Sequence, residues 1–197
     1  MNELTRRRGL IGISEVEPNP KFTSSKGKTY FKRHTVEVGG LTIAGWLDSM
    51  GQMPEMTELT FTGYAKYANA SNNIGILING ALTWSSYVPN LERLIINPTS
   101  TGLSTKLFSV GHYAFTGLQK CTFLQLGGLK DDGYCYFDSG GYFRNDNNVK
   151  TVGTAAGLEL VVYRTAYHSQ GGFANGSKAA STTITQYNWA TGEVLTA

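Results

Sequence analysis

The apolar positions of this chain fall into a short frame that recurs. In "MPEMTELTFTG", residues 53 to 63, Met56, Leu59 and Phe61 occupy positions 1, 4 and 6. "VPNLERLIINP", residues 88 to 98, repeats the spacing with Leu91, Leu94 and Ile96, and in both stretches a proline stands two residues before position 1. A third copy is expected in "YAFTGLQKCTFLQLGG" at Leu118, Cys121 and Phe123, and a fourth in "NNVKTVGT" at Val149, Val152 and Thr154. Starts at 56, 91, 118 and 149 give intervals of 35, 27 and 31 residues. Side chains alternate along a strand, so positions 4 and 6 share one face, and position 1 turns inward at the bend before it. A unit of this kind cannot cover its apolar face alone, whereas stacking the next unit on it makes a continuous core.

The frame also says which side chains point away from that core. They are Thr57, Glu58, Thr60 and Thr62 in the first copy, Glu92, Arg93, Ile95 and Asn97 in the second, and Gln119, Lys120, Thr122 and Leu124 in the third. If the copies stack, these positions line one shared face. The expected fold is therefore β-rich and solenoid-like, with parallel strands; a β-sandwich stays open as the alternative. Ahead of the frame, "TYFKRHTVEVGGLTIAGW" alternates well enough to predict two strands broken at Gly39-Gly40. At the other end, "TTITQYNWATGEVLT" predicts a hairpin turning at Ala190-Thr191-Gly192, suited to capping the last unit.

Composition sharpens this division. Gly (24 of 197) and Tyr (11) are abundant and charged residues make up only 16%, which favours strands and turns over long surface helices. The net charge of +3 is unevenly spread: residues 1 to 33 hold eight Lys/Arg against three acids, and the remainder nine against eleven. The basic opening contains Leu4, Arg6, Arg7, Arg8, Leu10 and Ile11, enough for two helical turns that Gly9 and Gly12 weaken. "SEVEPNPKFTSSKGK" after it, with Pro18, Pro20 and Gly27, reads as a connector. Three regions are thus expected: a basic anchor and linker over 1–28, a repeat-like module over 29–165 and a capping hairpin over 166–197. The basic run lacks a nucleic-acid motif and neighbouring aromatics, so a docking peptide is favoured over a nucleic-acid partner. No segment approaches the roughly 20 apolar residues of a membrane span, and membrane insertion is not expected.

Catalytic signatures are weak. Asp138-Ser139-Gly140-Gly141 has the order found around a trypsin-like nucleophile, but no histidine lies in a matching setting, and the same residues make a tight turn between Tyr/Phe strands. His34, His112 and His168 share no metal-ligand spacing, and Cys121 and Cys135 form no CxxC pair. Asp131, Asp132, Asp138 and Asp146 are the densest acids, without the order of a calcium loop. Neither a metal nor a cofactor is expected. Tyr134, Tyr136, Tyr142 and Phe143 offer aromatic area to a ligand or to the core.

The L-x-x-L-x-L spacing resembles the strand signature of leucine-rich repeats, and "VGHYAFTGLQKCTFLQL" resembles the irregular bacterial, BspA-like variety, in which an Ala-Phe pair precedes the strand. The opening "MNELTRRRGLIG" is similar to the short N-terminal peptide of tail-associated and adhesin-like proteins of bacteriophages from gut bacteria. Together these resemblances imply a non-enzymatic, virion-located structural or attachment protein. Its binding surface would comprise Thr57, Glu58, Thr60, Glu92, Arg93, Asn97, Gln119, Lys120 and Thr122, and its assembly anchor the basic opening. The partners implied are a host-surface glycan or protein, other virion proteins and further copies of the chain. The alternatives are a bacterial leucine-rich-repeat surface adhesin or interaction module, at the cell surface or in the cytoplasm, and a glycan-active enzyme.

Overall fold

A computed structural model describes residues 18–37, 41–63, 74–76, 83–97, 108–110, 115, 117–129, 157–167 and 182–197 of the chain. The basic opening, the fourth frame at Val149, Val152 and Thr154, and the Asp138-Ser139-Gly140-Gly141 turn lie outside these residues.

The connector-like stretch contains a hairpin, β1 (Lys21–Thr23) against β2 (Thr29–Phe31). Its turn is tied by Ser24, whose amide donates to the Lys28 carbonyl at 2.8 Å and whose buried hydroxyl donates to the Met50 carbonyl at 2.6 Å. Tyr30 on β2 is fully buried and hydrogen-bonds Glu55, so the hairpin is fastened to the body of the protein.

β3 (Arg33–Glu37) is the first of the two strands expected around Gly39-Gly40; the second is a helix, α1 (Ile43–Met50). Ile43, Trp46, Leu47 and Met50 have helical spacing and all are buried. Thr42 caps the helix by accepting from the Gly45 amide at 2.9 Å. This cap and stripe override the local alternation that suggested a strand.

The main sheet has six strands in the order β10-β9-β8-β6-β4-β3, made of β3, β4 (Glu58–Thr62), β6 (Arg93–Ile96), β8 (Phe123–Leu126), β9 (Leu158–Arg164) and β10 (Thr182–Asn188). Every neighbouring pair is parallel. The sheet is open, with β3 and β10 at its edges. A second, two-stranded parallel sheet pairs β5 (Ile74–Ile76) with β7 (Phe108–Val110). α1 is the only α-helix among the described residues, joined by one 3-10 turn at Trp84–Ser86.

The core lies on one side of the main sheet. In register, Leu59, Leu94, Leu124 and Leu160 form one buried row, and Phe61, Ile96, Leu126 and Val162 the next. β4, β6 and β8 are entered by the same turn: Met56, Leu91 and Cys121 donate their amides to the carbonyls of Met53, Val88 and Leu118, each at 3.2 Å. Behind the rows an aromatic series runs from His34 through Trp46, Phe61 and Trp84 to Phe115, with ring centroids 5.4 to 6.5 Å apart. Gly117 has a φ of 87°, and a Cβ there would sit 2.7 Å from the Ser85 hydroxyl and 2.9 Å from the Thr83 methyl, so only glycine lets this turn lie against the preceding one.

These registers correct the third frame. Leu124, expected to point outward, is fully buried, and Phe123, expected inside, is half-exposed. The third inward set is Cys121, Leu124 and Leu126, and Leu118 is equivalent to Val88 and Met53. Leu160 pairs with Leu124, so the fourth unit begins at Gly157 and the intervals become 35, 30 and 36. The error has a simple cause: 118, 121, 123 and 121, 124, 126 satisfy the same spacing, and only strand pairing chooses between them.

Both sheet edges are partly occupied. At β3, the Asn19 side chain donates to the Arg33 carbonyl and accepts from the Arg33 amide, both at 2.8 Å, standing in for a strand residue. At β10 the chain turns after Asn188 and returns antiparallel: Asn188 donates to the Glu193 carbonyl at 2.7 Å, Leu195 to the Gln186 carbonyl at 2.8 Å, and Tyr187 pairs with Val194. The expected reversal near Ala190-Thr191-Gly192 is present, but the first arm of this hairpin is also a parallel member of the main sheet.

Candidate binding surface

The face opposite the core is built from the alternate residues of the same strands. Its first row reads Arg33, Glu58, Arg93, Phe123, Glu159 and Thr183 across the sheet. The second row reads Thr35, Thr60, Ile95, Gln125, Val161 and Thr185. A third row pairs Glu37 with Thr62 at one end and Tyr163 with Tyr187 at the other. Asn97 and Gly127 follow their strands between these pairs, held by amide bonds to Phe61 O at 3.0 Å and Ile96 O at 2.9 Å.

Of the residues singled out from the sequence, Glu58, Thr60 and Arg93 lie on this face, and Asn97 lies at its third row. Thr57, Glu92 and Thr122 precede their strands and align with one another: the Thr57 carbonyl accepts from the Glu92 amide and the Glu92 carbonyl from the Thr122 amide, both at 2.8 Å. Gln119 and Lys120 are not on the strand face. With the register corrected they sit in the entry turn, where Lys120 Nζ donates to Asn90 Oδ1 at 2.5 Å and Asn90 Nδ2 to the Pro54 carbonyl at 2.8 Å. Leu4, Arg6, Arg7, Arg8, Leu10 and Ile11 of the expected anchor lie outside the described residues, as do Tyr134, Tyr136, Tyr142 and Phe143.

The frame missed Arg33 and Thr35 on the first strand and Phe123, Gln125, Tyr163, Thr185 and Tyr187 on the later ones. "LELVVYR" and "TTITQYN" carried a signal for the last three, since alternation within each strand puts these residues opposite Leu160 or Ile184.

The two ends of this face differ electrically. Toward β3 the first row alternates in sign through Arg33, Glu58 and Arg93, and the Arg93 guanidinium carbon lies 3.5 Å from the Phe123 ring centroid, a cation–π contact. Toward β10, the Tyr163 and Tyr187 rings stack with centroids 5.5 Å apart and planes 24° from parallel. Burial, and then the neighbouring Tyr187, raise the Tyr163 pKa above its ordinary value of 10.0, so its hydroxyl stays protonated at neutral pH.

Other titratable groups serve the core. Burial pushes the Cys121 thiol up to about 12, and its S–H contacts the Phe123 carbonyl at 3.1 Å, so it is a packing residue, not a nucleophile. His34 stacks between Phe31 and Trp46, its Nδ1 accepts from the Phe31 amide at 3.3 Å, and burial lowers its pKa from the ordinary 6.5. Among the described residues no group of three or more His, Cys, Asp or Glu is arranged to hold a metal ion, and no helix among them is long and apolar enough to cross a membrane. No protein-family model, curated protein or solved structure matches the chain.

Proposed function

We propose that the chain is a non-enzymatic attachment protein of a bacteriophage virion, whose parallel sheet is the strand face of a short leucine-rich-repeat-like solenoid. Its outer face binds a host-surface molecule or a neighbouring virion protein. One observation carries the binding role: uninterrupted parallel register from β3 to β10 brings outward residues from distant parts of the sequence into continuous rows. The repeated entry turns at Met53, Val88 and Leu118 support the solenoid reading, because they are what equivalent coils produce. The virion assignment rests on the basic opening of the sequence. Under this reading residues 29–165 are the binding module, residues 1–28 combine the anchor with the first arm of the hairpin that is fastened to that module, and 166–197 add the last strand of the sheet and its cap.

The test uses fluorescently labelled protein and a panel of gut bacterial strains, read by flow cytometry. The full chain should decorate at least one strain, and a Thr60→Arg, Arg93→Glu variant should lose that binding while keeping its circular dichroism spectrum. Release of soluble sugar from the cells by the purified protein would instead establish a glycan-active enzyme. The anchor is tested by solution mass: the full chain should self-associate or join virion proteins, and a chain cut before Pro18, which retains Asn19, should do neither.

A further inference from the structure

The β3 edge of the main sheet carries a device of its own. Even-numbered residues of this strand face β4, and the Lys32 carbonyl just before it accepts from the Glu58 amide at 3.2 Å. Odd-numbered residues therefore turn their amide and carbonyl groups away from β4, toward the edge. Those of Arg33 are both taken by the Asn19 side chain, at 2.8 Å each. Those of Thr35 and Glu37 follow along the same edge, and both residues are exposed. Asn19 stands between Pro18 and Pro20, neither of which has an N–H to give to a neighbouring strand, and proline is one of the residues that blunt sheet edges. The Pro20 carbonyl still accepts from the Lys32 amide at 3.0 Å, so the pairing of β1 with β2 runs on to the prolines, and a side chain closes the next position. The hairpin that follows Asn19 is fastened independently, by Ser24 to the Met50 carbonyl and by Tyr30 to Glu55.

We propose that Pro18, Asn19 and Pro20 form an edge plug that keeps β3 from pairing with β3 of a second copy of the chain. The inference is independent of what the outer face binds. The strand's own sequence selects the occupant. Laid antiparallel on itself about Thr35, the run Arg33-His34-Thr35-Val36-Glu37 sets Arg33 opposite Glu37 of the second copy at both ends and Thr35 opposite Thr35 at the centre. Opposite charges directly across a strand pair favour the pairing, and the residues with outward-turned groups meet as hydrogen-bonded pairs. Such a contact uses the same patch on both copies and closes as a dimer. Asn19 prevents it by occupying the Arg33 groups that Glu37 of the second copy would need. At the other edge the residues after Asn188 return along β10 and cover part of that strand in the same way.

Thr35→Cys reports the pairing, because opposed residues of a hydrogen-bonded pair have Cα atoms about 5.5 Å apart, within disulfide reach. The full chain carrying Thr35→Cys, with and without Asn19→Ala, is oxidised by glutathione disulfide and covalent dimer is followed on non-reducing gels; chains without Thr35→Cys give the background from the natural cysteines. Dimer should form about tenfold faster with Asn19→Ala, the scale set by freeing the partners of one or two hydrogen bonds. Asn19→Asp keeps the shape but cannot donate to the Arg33 carbonyl, and it should speed dimer formation to a lesser degree, which keeps the test open should Asn19→Ala fold poorly. Self-association through the basic opening would raise all these rates alike and leave their ratio to read the plug. In Asn19→Ala without added cysteine, hydrogen exchange at the Thr35 amide should slow as protein concentration rises, whereas in the parent chain it should not. The proposal is overturned if Thr35→Cys chains dimerise at the same rate with and without Asn19, if neither exceeds the background, or if Thr35 exchange in Asn19→Ala is indifferent to concentration.

Discussion

The two faces of the main sheet are made by neighbouring residues of the same strands, yet they follow different rules. On the inner face nearly every position from β4 to β9 is Leu, Ile, Val or Phe and is sealed from water, so each row is specified by volume. On the outer face, the rows change character from one edge to the other, from alternating charges at Arg33, Glu58 and Arg93 to the Tyr163–Tyr187 stack. Uniformity marks the side that holds the protein together. Variety, at constant backbone geometry, marks the side where packing into the core does not dictate the residue.

The contrast is sharpest at adjacent positions of β8. Leu124→Ala removes a fully buried side chain between Leu94 and Leu160 and should cost about 2–5 kcal/mol. Phe123→Ala, one residue away, removes a half-exposed ring and its contact with Arg93 and should cost only about 1 kcal/mol. Urea unfolding of both variants checks this; a larger loss at Phe123 would restore the uncorrected frame and break the assignment of faces.

A smaller effect is expected behind the inner face, where α1 is held by its cap. Thr42→Ala leaves the Gly45 amide without its acceptor and should lower stability by about 1 kcal/mol, read as a reduced urea midpoint at unchanged slope.

The smallest effect concerns the polar end of the inner face. His34 sits in register with Leu59, and burial lowers its folded pKa below 6.5. The unfolded chain therefore takes up a proton first as the pH falls. His34 contributes its full stabilisation above pH 6.5 and loses it as the pH drops through the folded pKa. Unfolding midpoints measured on either side of that pH should fall less on acidification in a His34→Gln variant than in the parent chain.

The first two frames were legible in the sequence because a proline and three apolar residues mark each of them, and the structure buries Met56, Leu59, Phe61, Leu91, Leu94 and Ile96 as the spacing requires. The third was legible only as an apolar unit. Without a proline beside Leu118, two registers fit equally well, and the error moved Leu124 and Phe123 to the wrong faces and placed Gln119 and Lys120 on a strand they merely approach. The helix at Ile43–Met50 was hidden for a related reason, since a run of eight residues satisfies strand alternation about as well as helical spacing until its cap is seen.

By itself the sequence determined that this chain builds strand units with one apolar face each, because side-chain alternation and the need to bury those faces are local facts. Which units become neighbours, in what register, and hence which polar residues meet on the far side, was decided only by the tertiary structure. The physical reason is that a strand's hydrogen bonds are made with another strand. A glutamine in the third frame and a valine 36 residues later stand side by side on the outer face because parallel pairing sets Gln125 beside Val161, a relation no local spacing contains.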